Sequence, residues 1–411
     1  MYSRPSSLGE YGIARFRISP NEEMAALVDA SGVPMRMPLR WLVQQRRQAV
    51  GSTNTMVADL QGVLDLYRWA AEAESAPDDL DGFLAGGGQL EPRELMGLGH
   101  WIREQTYQRA GVETTRSMGT ISRRIGSIAE FLGWAADVHG WGGSLRVPPA
   151  ELQGYRMRID ETFKGLKRAG RSTRPKPLSP EQDAFLRELI RPKLAPGGRL
   201  AWPIRFPTSN PFTEKLRLRV WLCYLLMRDL GLRKGEVLKL TIQDLERDKV
   251  KVRRRTADAD PRNPAPKVKS RERVLPLTQA IQQAFRAYTS LNHPGRRRRG
   301  GYPYLITSRS GAPLSIAGFN DMWTTLRKNH PEVGHLAPHV LRHTWAEAVA
   351  ADLLARGRGE ETALSLLRAL GGWAEGTQTP QHYVQNAIGR QANAMLRQYN
   401  DAMYERSSQS A

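Results

Sequence analysis

Cysteine is almost absent from this chain of 411 residues, in which Cys223 is the single thiol. One cysteine cannot form an intrachain disulfide, and it excludes a zinc site built on several Cys ligands. Cys223 lies in an apolar run, residues 220–227, which indicates a buried helical thiol rather than a nucleophile. No signal peptide and no apolar stretch long enough to span a bilayer is recognisable, so we expect an intracellular, cytoplasmic protein.

Lysine is missing from residues 1–163, which hold 17 Arg against 20 Asp and Glu, a net charge of −3. The remaining residues hold 44 Lys and Arg against 21 acidic residues, a net charge of +23 within the total of +20. Such an excess indicates a polyanionic partner, for which nucleic acid is the default. A membrane surface is the rival partner, but no basic amphipathic terminal helix supports it. The uneven charge also indicates at least two domains.

The N-terminal part is predicted to be a small helical bundle. Apolar residues recur at helical spacing in two long segments, residues 52–70 and 115–138. A third helix is expected at residues 90–108. A short one is expected at residues 21–30, in an otherwise poorly patterned beginning of the chain.

The C-terminal part mixes helices with a β-hairpin. Ser179, Pro180 and Gln182 form a capping box with proline at the first helical position, which indicates a helix start. Residues 249–255 and 271–277 are β-rich and bracket a polar loop, which predicts the hairpin. Further helices are expected at residues 214–230, 278–290, 316–329, 339–354, 360–370 and 387–404. The predicted fold class is therefore mostly α with a small β-sheet (α+β), in four parts: an extension (1–40), a helical domain (41–163), a basic linker (164–176) and a second domain (177–411).

Two Arg-containing segments carry the first signs of chemistry. His339 and Arg342 stand at i and i+3 at the start of a predicted helix, so both side chains face one target. The helix N-terminus adds positive potential there. Arg233 and Glu236 repeat the same spacing, and Glu236 is suited to hold the guanidinium while it contacts a phosphate. Taken alone, the His-x-x-Arg spacing is common and is weak evidence, and the pair of Arg233 and Glu236 is equally consistent with an ordinary surface ion pair.

Four segments together, in this order, resemble the tyrosine recombinase family of phage integrase-like enzymes. "GLRKGEVLKL" resembles their first Arg box, "PKVKSRERVLPL" their lysine hairpin and "PHVLRHTWA" their His-x-x-Arg box. "LGGWAEGTQTPQHY" resembles the segment that ends in the nucleophile. The resemblance covers residues 175–400, and more loosely residues 40–160, which it implies are a SAM-like core-binding domain.

The resemblance implies an enzyme: a site-specific DNA recombinase or integrase that cleaves and rejoins strands through a 3′-phosphotyrosyl intermediate. Tyr383 would attack the scissile phosphate and Lys267 would protonate the leaving 5′-oxygen. His339 would bind the phosphate or help to take the tyrosine proton. The implied catalytic set is Arg233, Lys267, His339, Arg342, Trp373 and Tyr383. Glu236 supports Arg233, and His343 is interpreted as structural support that points off the His339 face. No metal and no cofactor is expected.

Three departures from the family pattern leave alternatives open. Trp373 stands where most members have His and where Cre-like members have Trp, and an indole cannot shuttle a proton. Trp373 and Tyr383 are ten residues apart rather than nine, which puts His382 at the usual spacing. On the hairpin, Lys269 competes with Lys267, because strand registers shift easily by one residue. Tyr399 and Tyr404 are more distant rivals for the nucleophile.

Double-stranded DNA is the expected partner, and the two domains are expected to clamp opposite sides of the duplex. The resemblance also implies a homo-tetramer on two DNA sites, in which the last helix of each subunit docks on a neighbouring subunit. The protein would then be nucleoid-associated. Candidate DNA contacts outside the catalytic set are Arg46, Arg47, Arg116, Arg123, Arg124, Lys164, Lys167, Arg168, Arg171 and Arg174. Two other functions stay open: a type IB topoisomerase-like enzyme, and a DNA-binding protein on a recombinase scaffold without cutting activity.

Overall fold

In the computed structural model the chain divides into two units, Met1–Arg174 and Pro175–Ala411. The described part is mostly helical and carries three two-stranded antiparallel sheets, which confirms the predicted fold class. None of its helices is long and apolar enough to cross a membrane. The structure describes residues 11–19, 22–46, 53–109, 112–142, 149–169, 176–193, 205–255, 260–262, 265, 266, 268, 270–292 and 302–409.

Helices α2 and α5 form the centre of the N-terminal unit. Their apolar stripes, such as Leu60 and Val63 on α2 and Ile125 on α5, are fully buried against each other. Gly62 permits this close approach, because a Cβ there would lie 2.6 Å from the Arg124 carbonyl oxygen. The elements of the unit are β1 Gly12–Ser19, β2 Glu22–Val28, α1 Arg36–Trp41, a π-helical turn Leu42–Arg46, α2 Thr53–Glu72, α3 Leu80–Ala85, α4 Pro92–Glu104, β3 Thr106–Arg109, β4 Val112–Thr115, α5 Met118–Gly142 and α6 Pro149–Ala169.

The helix expected at residues 21–30 is wrong, because this segment is strand β2 and pairs antiparallel with β1. A helix of ten residues is marginal by itself, whereas the hairpin buries the consecutive residues Met24 to Val28. Met24 and Leu27 belong to the same hydrophobic core as α2 and α5. The boundary expected at residue 40, between the extension and the helical domain, falls inside α1. Much of the predicted extension is thus an integral part of the N-terminal unit.

The predicted basic linker also begins too early, since residues 164–169 form the last turns of α6. Within the helix, the Nζ of Lys164 lies 2.7 Å from Glu161, and that of Lys167 lies 2.6 Å from Asp160. Ion pairs with these neighbouring carboxylates stabilise the helix through this run of basic residues. Residues 170–175 lie outside the described part of the chain.

The C-terminal unit is built around α8, whose side chains are buried on almost every face. Cys223 on α8 is fully buried, and burial raises the pKa of its thiol to about 12, as expected for an inert core cysteine. The predicted hairpin is confirmed, with Val252 opposite Arg273. The elements are α7 Pro180–Ile190, α8 Glu214–Arg228, α9 Lys234–Lys239, a 3-10 turn Ile242–Asp244, β5 Lys249–Val252, β6 Arg273–Pro276, α10 Gln279–Ala287, a π-helical turn Tyr288–Asn292, α11 Ile316–Asn329, a 3-10 turn Pro331–Val333, α12 Pro338–Ala355, α13 Glu360–Gly371 and α14 Thr379–Gln409.

Helix α12 places the candidate site, because it packs against α8, α13 and α14. The chain leaves α8 through Gly231, whose φ of +64° is in the left-handed region. A Cβ at this position would lie 2.3 Å from the Trp345 ring of α12. The turn therefore requires glycine for two reasons, its positive φ and the lack of space for a Cβ. This turn brings the start of α9 against α12.

Candidate active site

The guanidinium groups of Arg233 and Arg342 meet at one backbone carbonyl. The Nη1 of Arg233 donates to the Gly371 oxygen at 3.1 Å, and the Nη2 of Arg342 donates to the same oxygen at 2.8 Å. Arg342 also donates to the carbonyl of Gly231. Burial and the charge of Arg233 lower the pKa of Arg342 to about 9, so it remains protonated at neutral pH. Two cations so close together in a buried place favour an anionic ligand.

Glu236 is the buried carboxylate next to this cationic site, and it is 2% exposed. Its carboxylate accepts the backbone N–H of Arg233 at 2.8 Å and two hydrogen bonds from Arg273, both at 3.0 Å. The hydroxyl of Ser270 donates to it as well. Burial acts to raise the pKa of Glu236, but the hydrogen bonds and charge of Arg273, with Arg342 and Ser270, outweigh burial and lower the pKa to about 2.

Arg273 is a residue of this network that sequence reasoning missed. Its side chain is almost fully buried, and its Nε donates to the carbonyl of Leu370 at 2.7 Å. One signal was available: Arg273 stands two residues before the buried Leu275, and alternate residues of a strand share one face. Strand alternation therefore predicts that Arg273 points to the same side of β6 as Leu275.

Trp373 lies under both guanidinium groups. Its ring centre is 4.1 Å from the Cζ of Arg342 and 5.4 Å from that of Arg233, which is the geometry of a cation–π contact. Its other neighbour is Trp345, stacked at 6.1 Å. A Cβ on Gly371 would lie 1.8 Å from the indole, so the backbone beside Trp373 must be glycine. Trp373 is thus both a core side chain and a wall of the site.

Tyr383 comes to the same place from the first turns of α14. Its ring centre is 6.1 Å from that of Trp373 and 5.6 Å from that of His343, and its hydroxyl is hydrogen-bonded to the Nδ1 of His343. Tyr399 is 62% exposed on the same helix, and the side chain of Tyr404 lies outside the described residues. Tyr383 is therefore the tyrosine that contacts Trp373, the ring on which the two guanidinium groups lie.

His343 does not point away from the site, so this part of the sequence prediction is wrong. Residues four apart lie one above the other on a helix, and the rings of His339 and His343 stand edge to face at 5.7 Å. The His-x-x-Arg pattern indicates only that His339 and Arg342 share a helix face. It does not include the i, i+4 pair of His339 and His343. In the structure it is His343 that contacts the phenol.

His339 lines a cavity of about 380 Å³ together with Arg233 and Arg342. The cavity wall includes the basic side chains of Lys234 and Arg327, and the Nζ of Lys234 donates to Asn320 at 3.2 Å. The lining contains no acidic residue. Burial lowers the pKa of His339, and the charges of His335 and Lys234 add to this effect. Burial also lowers the pKa of Lys234. The cavity is thus a desolvated cationic space that favours a phosphate-sized anion. The full lining is Met227, Arg233, Lys234, Asn320, Trp323, Thr324, Arg327, Leu336, Ala337, Pro338, His339 and Arg342.

Residues 207–390, which lie within the C-terminal unit, match the family described as "Phage integrase family". The match covers most of the C-terminal unit and less than half of the whole chain. A segment of 77 residues is 30% identical to "Tyrosine recombinase XerD" of Halalkalibacterium halodurans, a match that spans 19% of this chain and only 26% of that protein.

Two solved structures are similar to the chain over most of its length. A Tn1549 transposon integrase in complex with circular intermediate DNA is 16% identical, with 85% of this chain and 95% of that chain covered and a TM-score of 0.49. XerH site-specific recombinase bound to a palindromic difH substrate is 14% identical, with 87% and 83% covered and a TM-score of 0.49. The likeness to the phage integrase family rests on the matched residues 207–390 rather than on these scores.

Both hairpin lysines that the resemblance suggested, Lys267 and Lys269, lie outside the described residues. His382 is half-buried one residue before the phenol, and the contacts with His343 and Trp373 belong to Tyr383. No group of three His, Cys, Asp or Glu side chains within the described ranges is arranged to hold a metal ion.

Two of the arginines predicted to contact DNA have a different role. Arg116 donates to the fully buried carboxylate of Asp65 at 2.8 and 3.2 Å, and Arg124 donates to it at 2.6 Å. These contacts correct the prediction, because both charges neutralise a carboxylate inside the N-terminal unit. Arg123, which lies next to Arg124 on α5, is exposed. Outside the described residues or side chains lie Arg46, Arg47, Arg168, Arg171 and Arg174.

Proposed function

We propose that this chain is a site-specific DNA recombinase that cleaves and rejoins DNA through a 3′-phosphotyrosyl intermediate on Tyr383. The observation that carries the proposal is the convergence of Arg233, Arg342 and Tyr383 on one buried tryptophan. These groups come from three separate segments of the residues that match the phage integrase family. A phenol that contacts the same tryptophan as two guanidinium groups is suited to attack a phosphodiester bound by those groups.

In this reaction the Tyr383 oxygen attacks the scissile phosphorus and the 5′-oxygen leaves. Arg233 and Arg342 each keep N–H groups beyond those bound to carbonyls, and a guanidinium has five. They would stabilise the charge that builds on the non-bridging oxygens, where one such donor is worth about 10²–10³-fold in rate. His339 would hold a phosphate oxygen from the cavity side, and Lys267 would protonate the leaving oxygen.

Double-stranded DNA is the proposed partner. The net charge of +20 supports it, as does the cavity beside His339, where Lys234 and Arg327 extend the basic surface beyond the scissile phosphate. Assembly on two DNA sites as a tetramer is part of the proposal. Helix α14 supports it by exposing Met395, Leu396 and Tyr399, which are apolar side chains suited to a neighbouring subunit. Such an enzyme acts at the nucleoid.

A trapping experiment tests the cleavage chemistry without knowledge of the target site. Nicked duplexes with a randomised segment are incubated with the full chain, and covalent protein–DNA adducts are isolated under denaturing conditions and sequenced. The wild-type chain and Tyr399→Phe should give adducts, whereas Tyr383→Phe should give none. Adducts that persist in Tyr383→Phe would overturn the assignment, and a wild-type chain without adducts would favour a DNA-binding protein.

The recovered sequences then separate recombinase from topoisomerase. Two plasmid-borne copies of the selected site should undergo strand exchange in the presence of the wild-type chain. Relaxation of supercoiled plasmid without any exchange between paired sites would instead favour an enzyme similar to type IB topoisomerases.

A further inference from the structure

We propose that His343 is the general base that accepts the proton of Tyr383 during strand cleavage. This inference rests on the proposed function, because it assigns a role within the same reaction. It departs from the sequence expectation, in which His339 takes part in this proton transfer and His343 is only structural.

The geometry of the hydrogen bond carries the assignment. The Nδ1 of His343 and the hydroxyl of Tyr383 are hydrogen-bonded, and the two rings lie 5.6 Å apart at 47°. For the phenol to donate, Nδ1 must be the unprotonated nitrogen of a neutral imidazole, with its proton on Nε2. The acceptor is then already at hydrogen-bonding distance before the substrate binds, as a general base must be.

The other groups around the phenol are the wrong kind for this role. Arg233 and Arg342 are permanent donors, and the indole of Trp373 has an N–H but no basic lone pair. His339 is one helical turn away and lines the cationic cavity, where burial and neighbouring charges make it a poor proton acceptor. Of the two histidines on this face, His343 is the one whose ring nitrogen contacts the hydroxyl.

The proposed step balances as a simple substitution at phosphorus. The Tyr383 oxygen forms a bond to phosphorus while its proton passes to the Nδ1 of His343. The bond between phosphorus and the 5′-oxygen breaks, and that oxygen takes a proton from the acid proposed at Lys267. In rejoining, the imidazolium of His343 returns its proton to the departing phenolate.

The first test pairs His343→Asn with fluorinated tyrosine at position 383. Asn places an amide near the position of Nδ1 but cannot take a proton, so the cleavage rate on nicked duplex should fall by about 10²–10³-fold. Substitution of Tyr383 by 3,5-difluorotyrosine makes the phenol more acidic and should restore much of the rate in the His343 variant. In the wild-type background fluorination should help little.

Controls separate this inference from folding and from the proposed function. His382→Asn alters the neighbouring histidine and should cleave within about twofold of wild type, since it removes no proton acceptor from the phenol. His343→Gln serves as a second variant if Asn impairs folding. An equal response to fluorination in wild type and variant would overturn the role of His343, while adducts from the wild-type chain would leave the recombinase proposal intact.

A second test distinguishes a base from an acid. A substrate with sulfur in place of the bridging 5′-oxygen has a leaving group that needs no proton. His343→Asn should stay slow on this substrate, whereas Lys267→Ala should recover. Recovery of the His343 variant would place its action at the leaving group and refute the proposal.

Discussion

Replacing Glu236 by Gln should destabilise the C-terminal unit more than any surface substitution of the same kind. Glu236 is buried and holds Arg273 through two hydrogen bonds of 3.0 Å. Gln keeps the shape of the side chain but leaves the guanidinium of Arg273 buried without a counter-ion. Removing one partner of a buried ion pair costs about 3–5 kcal/mol of unfolding free energy.

The lowered pKa of Glu236 gives a second estimate of how much this carboxylate stabilises the fold, and it predicts how that stabilisation depends on pH. A decrease from 4.5 to about 2 on folding corresponds to about 3 kcal/mol of stability. Because the folded-state pKa is the lower one, this contribution is fully present above pH 4.5 and is lost as the pH falls from 4.5 towards 2. The difference in stability between wild type and Glu236→Gln should therefore be largest near neutral pH and shrink in acid.

Cys223 provides a reporter for this measurement, since it is the only thiol and is fully buried in the core of the same unit. The full chain is equilibrated in urea at several pH values and given a short pulse of a dipyridyl disulfide, which reacts with thiols in acid and at neutral pH. The labelled fraction then gives the unfolding free energy of the C-terminal unit.

Glu332→Gln is the matched control, because Glu332 is exposed in the same unit and its loss should change stability by less than about 0.5 kcal/mol. A cost for Glu236→Gln as small as that of the control would refute the reasoning. So would a stability difference between wild type and Glu236→Gln that does not change between pH 7 and pH 3.

Three other substitutions test separate parts of the structure. Gly371→Ala should displace Trp373, whose ring would lie 1.8 Å from the new Cβ, and should slow DNA cleavage in the adduct assay without unfolding the chain. Arg116→Ala should cost about 2 kcal/mol in urea unfolding of the N-terminal unit, because the fully buried Asp65 loses two charged hydrogen bonds and keeps only its pair with Arg124. Lys234→Ala should reduce the slope of log binding constant against log salt by about 1 in DNA titrations, as loss of one phosphate contact predicts.

Each of these substitutions has a control within the chain. Gly389→Ala adds a Cβ into open space and should leave cleavage unchanged. Arg123→Ala removes an exposed arginine of the helix that carries Arg124 and should not alter stability. Arg356→Ala removes an exposed cation already paired with Asp352, so the salt slope should stay the same. Variant and control that behave alike would contradict the prediction concerned.

Much of the secondary structure was predictable because its signals are local. The capping box at Ser179 forms as expected, with the backbone of Gln182 and its side chain both engaged. The hairpin of β5 and β6 follows its β-rich segments. The failure at β2 has a physical cause: pairing with β1 and burial of Met24 and Leu27 outweigh a weak helical preference.

The candidate site divides in the same way between local and distant interactions. The pair of Arg233 and Glu236 is an i, i+3 contact, so spacing alone suggested it. The bond from Arg342 to the Gly231 carbonyl joins residues 111 apart, and no periodicity contains that information. Arg273 reaches Glu236 across 37 residues and was missed, although strand alternation indicated its side.

By itself the sequence determined the family-like order of segments, the basic C-terminal half and most helices, because composition, caps and periodicity are properties of neighbouring residues. Only the tertiary structure decided that His343 rather than His339 contacts the phenol. It also decided that Arg116 neutralises a buried carboxylate instead of presenting its charge at the surface. The physical reason is that partner choice depends on burial and on packing between helices distant in the chain, and these set which polar groups must be paired.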